Sequence, residues 1–78
     1  MKGSQVRTIV DEGDPIAAVL INRGGWISAP RITVEWHELS ECWAVHTFTK
    51  DDVHLRTLYI EAENILGISV RRTNDGHG

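Results

Sequence analysis

The residues best suited to chemistry are one cysteine and three of the four histidines. All of them lie between residues 37 and 54: His37, Cys42, His46 and His54. Thiolate and imidazole are ligands that zinc prefers, and every ligand must reach the ion at about 2.0–2.3 Å. Cys42 and His46 are four residues apart, so on a strand they would share a face at a separation of about 13 Å. We therefore expect no metal site and no cofactor.

The same stretch also offers a nucleophile beside a base, either Cys42 with His46 or Ser40 with His37. A catalytic nucleophile needs a base within hydrogen-bonding reach and a third group that orients the base. Any β-rich chain with four histidines contains pairs of this kind, so they are weak evidence for catalysis. We expect no catalytic residue and predict that the protein is not an enzyme.

Aromatic side chains near these histidines could bind a partner. If the segment is a hairpin, His46, Phe48, Leu55 and Tyr59 share one face, and Arg56 lies on the other face towards the turn. Stacked aromatic rings with arginine nearby are typical of surfaces that hold single-stranded nucleic acid. The formal net charge of −3, however, weakens attraction to phosphates. Nucleic-acid binding is therefore the alternative hypothesis.

A protein partner is the preferred hypothesis. An apolar face rimmed by charged residues is typical of a contact between subunits or proteins. Three tryptophans are available as anchors. We expect Trp36 and Trp43 in the core, and Trp26, next to Gly24-Gly25, at the surface. The predicted binding residues are Trp26, His46, Phe48, Leu55, Arg56 and Tyr59.

The element that positions most of these residues is a hairpin over residues 41–61. Two aromatic, β-branched runs flank the polar break Lys50-Asp51-Asp52. With Asp51-Asp52 as the turn, four pairs follow: His46 with Thr57, Val45 with Leu58, Ala44 with Tyr59 and Trp43 with Ile60. Closer to the turn, Phe48 would face Leu55, and His54 would lie on the opposite face from His46. Both faces are apolar, so we expect something to cover the second one.

The remaining segments are also predicted to be mostly strands. Residues 5–10 alternate and suit a strand. Residues 15–22 are favoured as a buried strand. They could also form a helix, with Asp14 as its N-cap, Pro15 at its first position and Gly24 just past its end. Residues 26–28 begin a strand that Pro30 interrupts. Residues 31–37 form a half-buried strand, and residues 64–72 form the last strand, with Leu66, Ile68 and Val70 on its apolar face.

These elements predict an all-β fold, a small antiparallel SH3-like or OB-like barrel of five or six strands. The alternative is an α+β fold with a short helix at 15–23 packed on an antiparallel sheet. We expect one domain over residues 1–78, with a folded core at 5–72 and flexible ends at 1–4 and 73–78. A chain of 78 residues buries only about 60% of its unfolded surface, so it is marginally stable alone.

Oligomerisation is a common remedy for a small core, and with one cysteine no internal disulfide is available. No apolar stretch suits a membrane span or a signal peptide. We therefore expect a small cytoplasmic protein of bacterial or phage type that binds itself and another protein. It would act as a homo-oligomeric regulatory or adaptor module.

Overall fold

The computed structural model describes residues 1–71. Its elements are a helix, five strands and a short 3-10 turn. They are α1 (Gly3–Glu12), β1 (Ile16–Ile21), β2 (Gly25–His37), β3 (Cys42–Phe48), β4 (His54–Ile60), the 3-10 turn Ala62–Asn64 and β5 (Ile65–Val70). The strands form one antiparallel sheet in the order β4-β3-β2-β1-β5. The prediction of a mostly β, antiparallel protein is confirmed.

The sheet is not a barrel closed by hydrogen bonds. β4 and β5 are its two edges, and each pairs with only one neighbour within residues 1–71. The core lies on one side of the sheet, the inner face, to which the helix and all five strands contribute. Its buried members are Val6, Ile16, Val19, Ile27, Ile32, Val34, Trp43, Val45, Ile60 and Ile65.

The first segment was predicted wrongly, since residues 5–10 belong to helix α1 and not to a strand. Val6, Ile9 and Val10 are spaced as on one face of a helix, and they also fit a loose strand-like alternation. The helix is the form observed, and Val6 is buried in the core. Gln5 Oε1 accepts the Lys2 backbone N–H at the start of the helix, at 2.9 Å. At the other end, Gly13 takes a left-handed φ of 81° and donates its N–H to Val10 O, which is a helix C-cap.

Helix α1 begins at Gly3, two residues before the predicted start of the folded core. The Met1 amino group donates to the carbonyls of Ala62 and Ile65, which places Met1 beside β5. The segment 15–22 contains strand β1 (Ile16–Ile21), as favoured, so the alternative helix at 15–23 is not formed. The predicted flexibility of residues 73–78, and the end of the folded core at residue 72, lie outside the described residues.

Pro30 does not interrupt β2, contrary to the prediction. The strand continues through it, and the pairing of β1 with β2 shifts between Ala18↔Ser28 and Ile16↔Ile32. The missing N–H of Pro30 therefore lies in an irregular stretch of that ladder, where it interrupts no regular pair. Residues before Pro30 pair with β1, and Arg31–His37 pair with β3.

Two core assignments also needed correction. Trp43 is buried as predicted, but Trp36 is 40% exposed and packs edge-on against Trp43 with ring centroids 5.3 Å apart. Leu66 is 54% exposed, whereas its neighbour Ile65 is fully buried. The pairing of β1 with β5 shifts between Leu20↔Gly67 and Ile21↔Ile65, so Leu66 has no partner on β1 and Ile65 takes the core position.

Candidate functional site

The site lies on the outer face of β2, β3 and β4, opposite the core. Because side chains alternate along a strand, the residues between buried ones on these strands point outward. We call this surface the histidine face. Its members are Arg31, Thr33, Glu35 and His37 on β2, Ala44, His46 and Phe48 on β3, and His54, Thr57 and Tyr59 on β4.

The predicted hairpin brings these residues together, and its register is confirmed over most of its length. The pairs Trp43↔Ile60, Ala44↔Tyr59, Val45↔Leu58 and His46↔Thr57 are all formed. Phe48, however, pairs with His54 and not with Leu55. A one-residue bulge at Leu55 therefore moves His54 onto the same face as His46, where the even register had placed it on the other side.

The bulge follows from the turn, which differs from the predicted Asp51-Asp52 pair. Thr49 O accepts the Asp52 N–H at 3.0 Å, and Thr49 N–H donates to Val53 O at 2.9 Å, so the loop contains three residues. Asp52 takes a left-handed φ of 64°. A three-residue loop with its last residue left-handed is a common hairpin that ends in a bulge.

A chain of hydrogen bonds joins four side chains across the centre of the histidine face. His46 Nε2 lies 2.8 Å from Glu35 Oε1, and His46 Nδ1 lies 2.7 Å from Thr57 Oγ1. His54 Nε2 lies 2.8 Å from the same Thr57 oxygen. Two histidines from neighbouring strands therefore converge on one hydroxyl group.

Only one arrangement of protons satisfies this chain when both histidines are neutral. The Glu35 carboxylate is an acceptor, so His46 donates from Nε2 and accepts at Nδ1 from the Thr57 hydroxyl. The Thr57 oxygen must then accept from His54 Nε2–H. Glu35 thus sets the tautomer of His46 and leaves Nδ1 with its lone pair toward Thr57.

Aromatic contacts surround the chain at both ends. The His37 and Tyr59 rings meet at 5.0 Å although their strands are separated by β3, so they close over the small side chains of Cys42 and Ala44. This explains why Cys42 and Ala44 are buried on an outward face. At the other end, Phe48 meets His54 edge-on at 5.5 Å, and the Arg31 guanidinium lies 5.5 Å from the Phe48 ring centre.

The structure brings three of the six predicted binding residues together. His46, Phe48 and Tyr59 share the histidine face, and Tyr59 is 57% exposed. Leu55 is exposed at the bulge of β4. Arg56 pairs with the buried Thr47, so it belongs to the inner side of the sheet. Trp26 is exposed as predicted, but it lies beyond Pro30 in the half of β2 that pairs with β1.

The predicted binding residues did not include Glu35, His54 or Thr57, although Thr57 was expected beside His46. Strand alternation does place Glu35 on the same side of the sheet as His46, which was a usable signal. The face on which His54 lies depends on the bulge, which the sequence does not indicate. The left-handed turn residue that precedes the bulge is an aspartate, whereas Gly or Asn is more often found at such a position.

A pair of acidic residues and a cavity lie outside the hydrogen-bonded centre of this face. A side-chain hydrogen bond with Glu63, together with repulsion from its charge, raises the pKa of Glu61 just after β4. A cavity of about 450 Å³ opens between the end of α1 and β2, with Ile16, Ile32 and Val34 among its lining residues. Within residues 1–71, no group of three or more His, Cys, Asp or Glu side chains is placed to hold a metal ion.

Comparisons of the chain with known protein families, with curated proteins and with solved structures found no match. In the described part of the chain, no helix has the length and apolar character needed to cross a membrane.

Proposed function

We propose that this protein is a non-catalytic binding module that assembles with copies of itself through the edges of its sheet. In this proposal the histidine face binds another protein. The observation that carries the proposal is the open sheet, because β4 and β5 each have one unpaired side within the described residues.

Apart from the contact of Met1 with Ile65 at its start, β5 carries little protection against pairing. Natural edge strands are usually shielded by charged residues, by proline or by a covering element. β5 has the sequence Ile-Leu-Gly-Ile-Ser-Val, without charge or proline, and Leu66 is exposed on it. Such a strand favours pairing with another strand, and a second copy of this chain is the simplest source of one.

The edge formed by β4 supplies a second joining surface. Leu55 and Tyr59 are large, exposed side chains on this strand. If β4 of one copy pairs with β5 of the next, the contact is heterologous and can close into a ring; if like edges pair, a two-fold dimer forms. Either contact would extend the open antiparallel sheet of one copy into the next.

The histidine face suits a macromolecular partner better than a small molecule. Tyr59 is an exposed aromatic residue held in place by His37, and rigid aromatic side chains are favoured anchors of protein interfaces. Arg31 and Glu35 at the margin supply both signs of charge, as the rim of an interface does.

Sedimentation velocity over a range of micromolar concentrations tests self-assembly. We expect the wild-type chain to sediment as a dimer or larger. Leu66→Lys on β5 or Leu55→Glu on β4 should shift it to a monomer. Leu39→Glu is the matched control, because Leu39 is 94% exposed in the turn between β2 and β3. A monomeric wild type at high micromolar concentration would contradict the proposal.

Single-stranded nucleic acid is the second candidate partner, and one observation favours it. His46, Phe48 and Tyr59 lie on one surface, with a guanidinium stacked on Phe48. A labelled oligonucleotide should then bind with an affinity that falls as salt rises, and Tyr59→Ala should weaken it. Absence of binding at low salt would reject this alternative.

A further inference from the structure

His46 and His54, on neighbouring strands, each direct one ring nitrogen at the same Thr57 hydroxyl group. Both nitrogens, His46 Nδ1 and His54 Nε2, lie within 2.8 Å of Thr57 Oγ1, and the two ring centroids are 6.0 Å apart. We propose that these two nitrogens bind one Zn²⁺ ion on the histidine face, with the other coordination positions open to water or to a ligand from a partner. This inference does not depend on the proposed function.

The distance between the rings fits a shared ion. Zinc binds an imidazole nitrogen at about 2.0–2.1 Å, which puts the ion about 3.2 Å from the ring centroid. Two rings on one tetrahedral ion then have centroids about 5.2 Å apart, and about 6.4 Å is the limit for any angle. The observed 6.0 Å lies within this limit, so a small rotation of the exposed His54 completes the geometry.

Glu35 prepares His46 for this role. A histidine that binds metal through one nitrogen commonly donates its other N–H to a carboxylate, which fixes the tautomer and raises the basicity of the ligand. Glu35 accepts from His46 Nε2 in this way, so that Nδ1 is unprotonated and accepts from the Thr57 hydroxyl group. Thr57 Oγ1 occupies the position between the two nitrogens and would turn away, or bind weakly, when the ion enters. The exposed His54 would take its other tautomer, with the proton on Nδ1, so that Nε2 is free to bind the ion.

The site is an open one. A closed structural zinc site has four protein ligands, whereas two histidines leave about two positions for other donors. The ion would therefore be exchangeable and able to join the histidine face to a donor on another molecule. Imidazole must be neutral to bind metal, so protons compete with the ion for both ligands.

Calorimetric titration of the full metal-free chain with zinc chloride tests the proposal. We expect one equivalent to bind at pH 7.5 and the affinity to fall by about 10-fold or more in His54→Asn and in His46→Asn. Glu35→Ala, which removes the orienting carboxylate, should weaken binding by a similar factor. Thr57→Val removes the hydroxyl group but neither nitrogen, so it should retain binding.

Two further histidines supply matched controls. His37→Asn removes a ring on the same face, and His77→Asn removes the only histidine outside residues 37–54. Neither should change the affinity for zinc. His54 is exposed, so its variant should fold, and circular dichroism checks this. No saturable binding by the wild type, binding unchanged in His54→Asn, or binding lost in His77→Asn would each overturn the proposal.

Discussion

At the scale of single residues, the centre of the histidine face depends on hydrogen bonds that cross three strands. His46 on β3 is held from both sides, by Glu35 on β2 and by Thr57 on β4. A half-buried imidazole with both nitrogens paired has a fixed ring position. This ordering distinguishes His46 from His37, which accepts a hydrogen bond from the backbone N–H of Ser40 in the adjoining turn.

The acidic pair after β4 gives a prediction at the same scale. The pKa of Glu61 is raised in the folded protein by the hydrogen bond and the charge of Glu63. A carboxyl group whose folded pKa lies above its unfolded pKa lowers stability as the pH rises through that range. Glu63→Gln removes the repulsion, so its melting temperature should exceed that of wild type at pH 7, and the difference should shrink as the pH is lowered through the Glu61 pKa.

Melting curves of both chains over a series of pH values provide the measurement. Glu12→Gln is a matched control, because it removes an exposed carboxylate at the end of α1. A constant gain for Glu63→Gln at every pH would show that the effect is not due to repulsion between Glu61 and Glu63.

At the scale of elements, the hairpin shows what its sequence could and could not specify. The apolar alternation of β3 and β4 determines which residues face the core, so the four pairs from Trp43↔Ile60 to His46↔Thr57 were predictable. The turn was not, because Lys50-Asp51-Asp52 contains neither Gly nor Asn to mark the left-handed position. That missing signal is why His54 was placed on the wrong face.

The left-handed Asp52 leads to a prediction for the same element. Its φ of 64° is costly for an L-residue and free of strain for glycine, so Asp52→Gly should stabilise the protein by up to about 1 kcal/mol. The variant also loses the ion pair with Arg31, but both side chains are more than half exposed, and such pairs contribute little. Asp51→Gly is the control and should be neutral or destabilising, because Asp51 is not among the residues with positive φ.

Urea denaturation of the two variants measures this difference. If Asp52→Gly is less stable than wild type, the Arg31 contact outweighs the backbone strain, and the description of this turn as strained is wrong.

At the scale of the whole molecule, the sequence indicated the sheet but not how its inner face is covered. The helix was missed because Val6, Ile9 and Val10 fit both periods, and the burial of Val6 depends on core residues that distant strands supply. Leu66 was expected in the core, and Ile65 is there instead, for a related reason. A bulge against β1 depends on how two strands pair, which neither strand's sequence shows alone. Both errors concern information that no single segment contains.

The protein's own side chains cover part of the histidine face. Small residues under the His37 and Tyr59 rings are buried, while Leu55, Tyr59 and the two sheet edges stay accessible. Of the exposed large apolar side chains, Leu55 and Tyr59 lie on the edge strand β4 and Leu66 on the edge strand β5, whereas Trp26 and Trp36 lie on β2. The three edge residues are the reason for placing the contact between copies at the edges.

Assembly through these edges should make the stability depend on concentration. A partner that binds only the folded chain raises the melting temperature by mass action, so dilution should lower it. We expect the wild-type melting temperature to rise with protein concentration, and Leu66→Lys to lose that dependence while keeping the circular dichroism spectrum of a folded sheet. Leu39→Glu should keep it. A wild-type melting temperature that stays constant across the range in which sedimentation is measured would show that the edges are protected without a second copy.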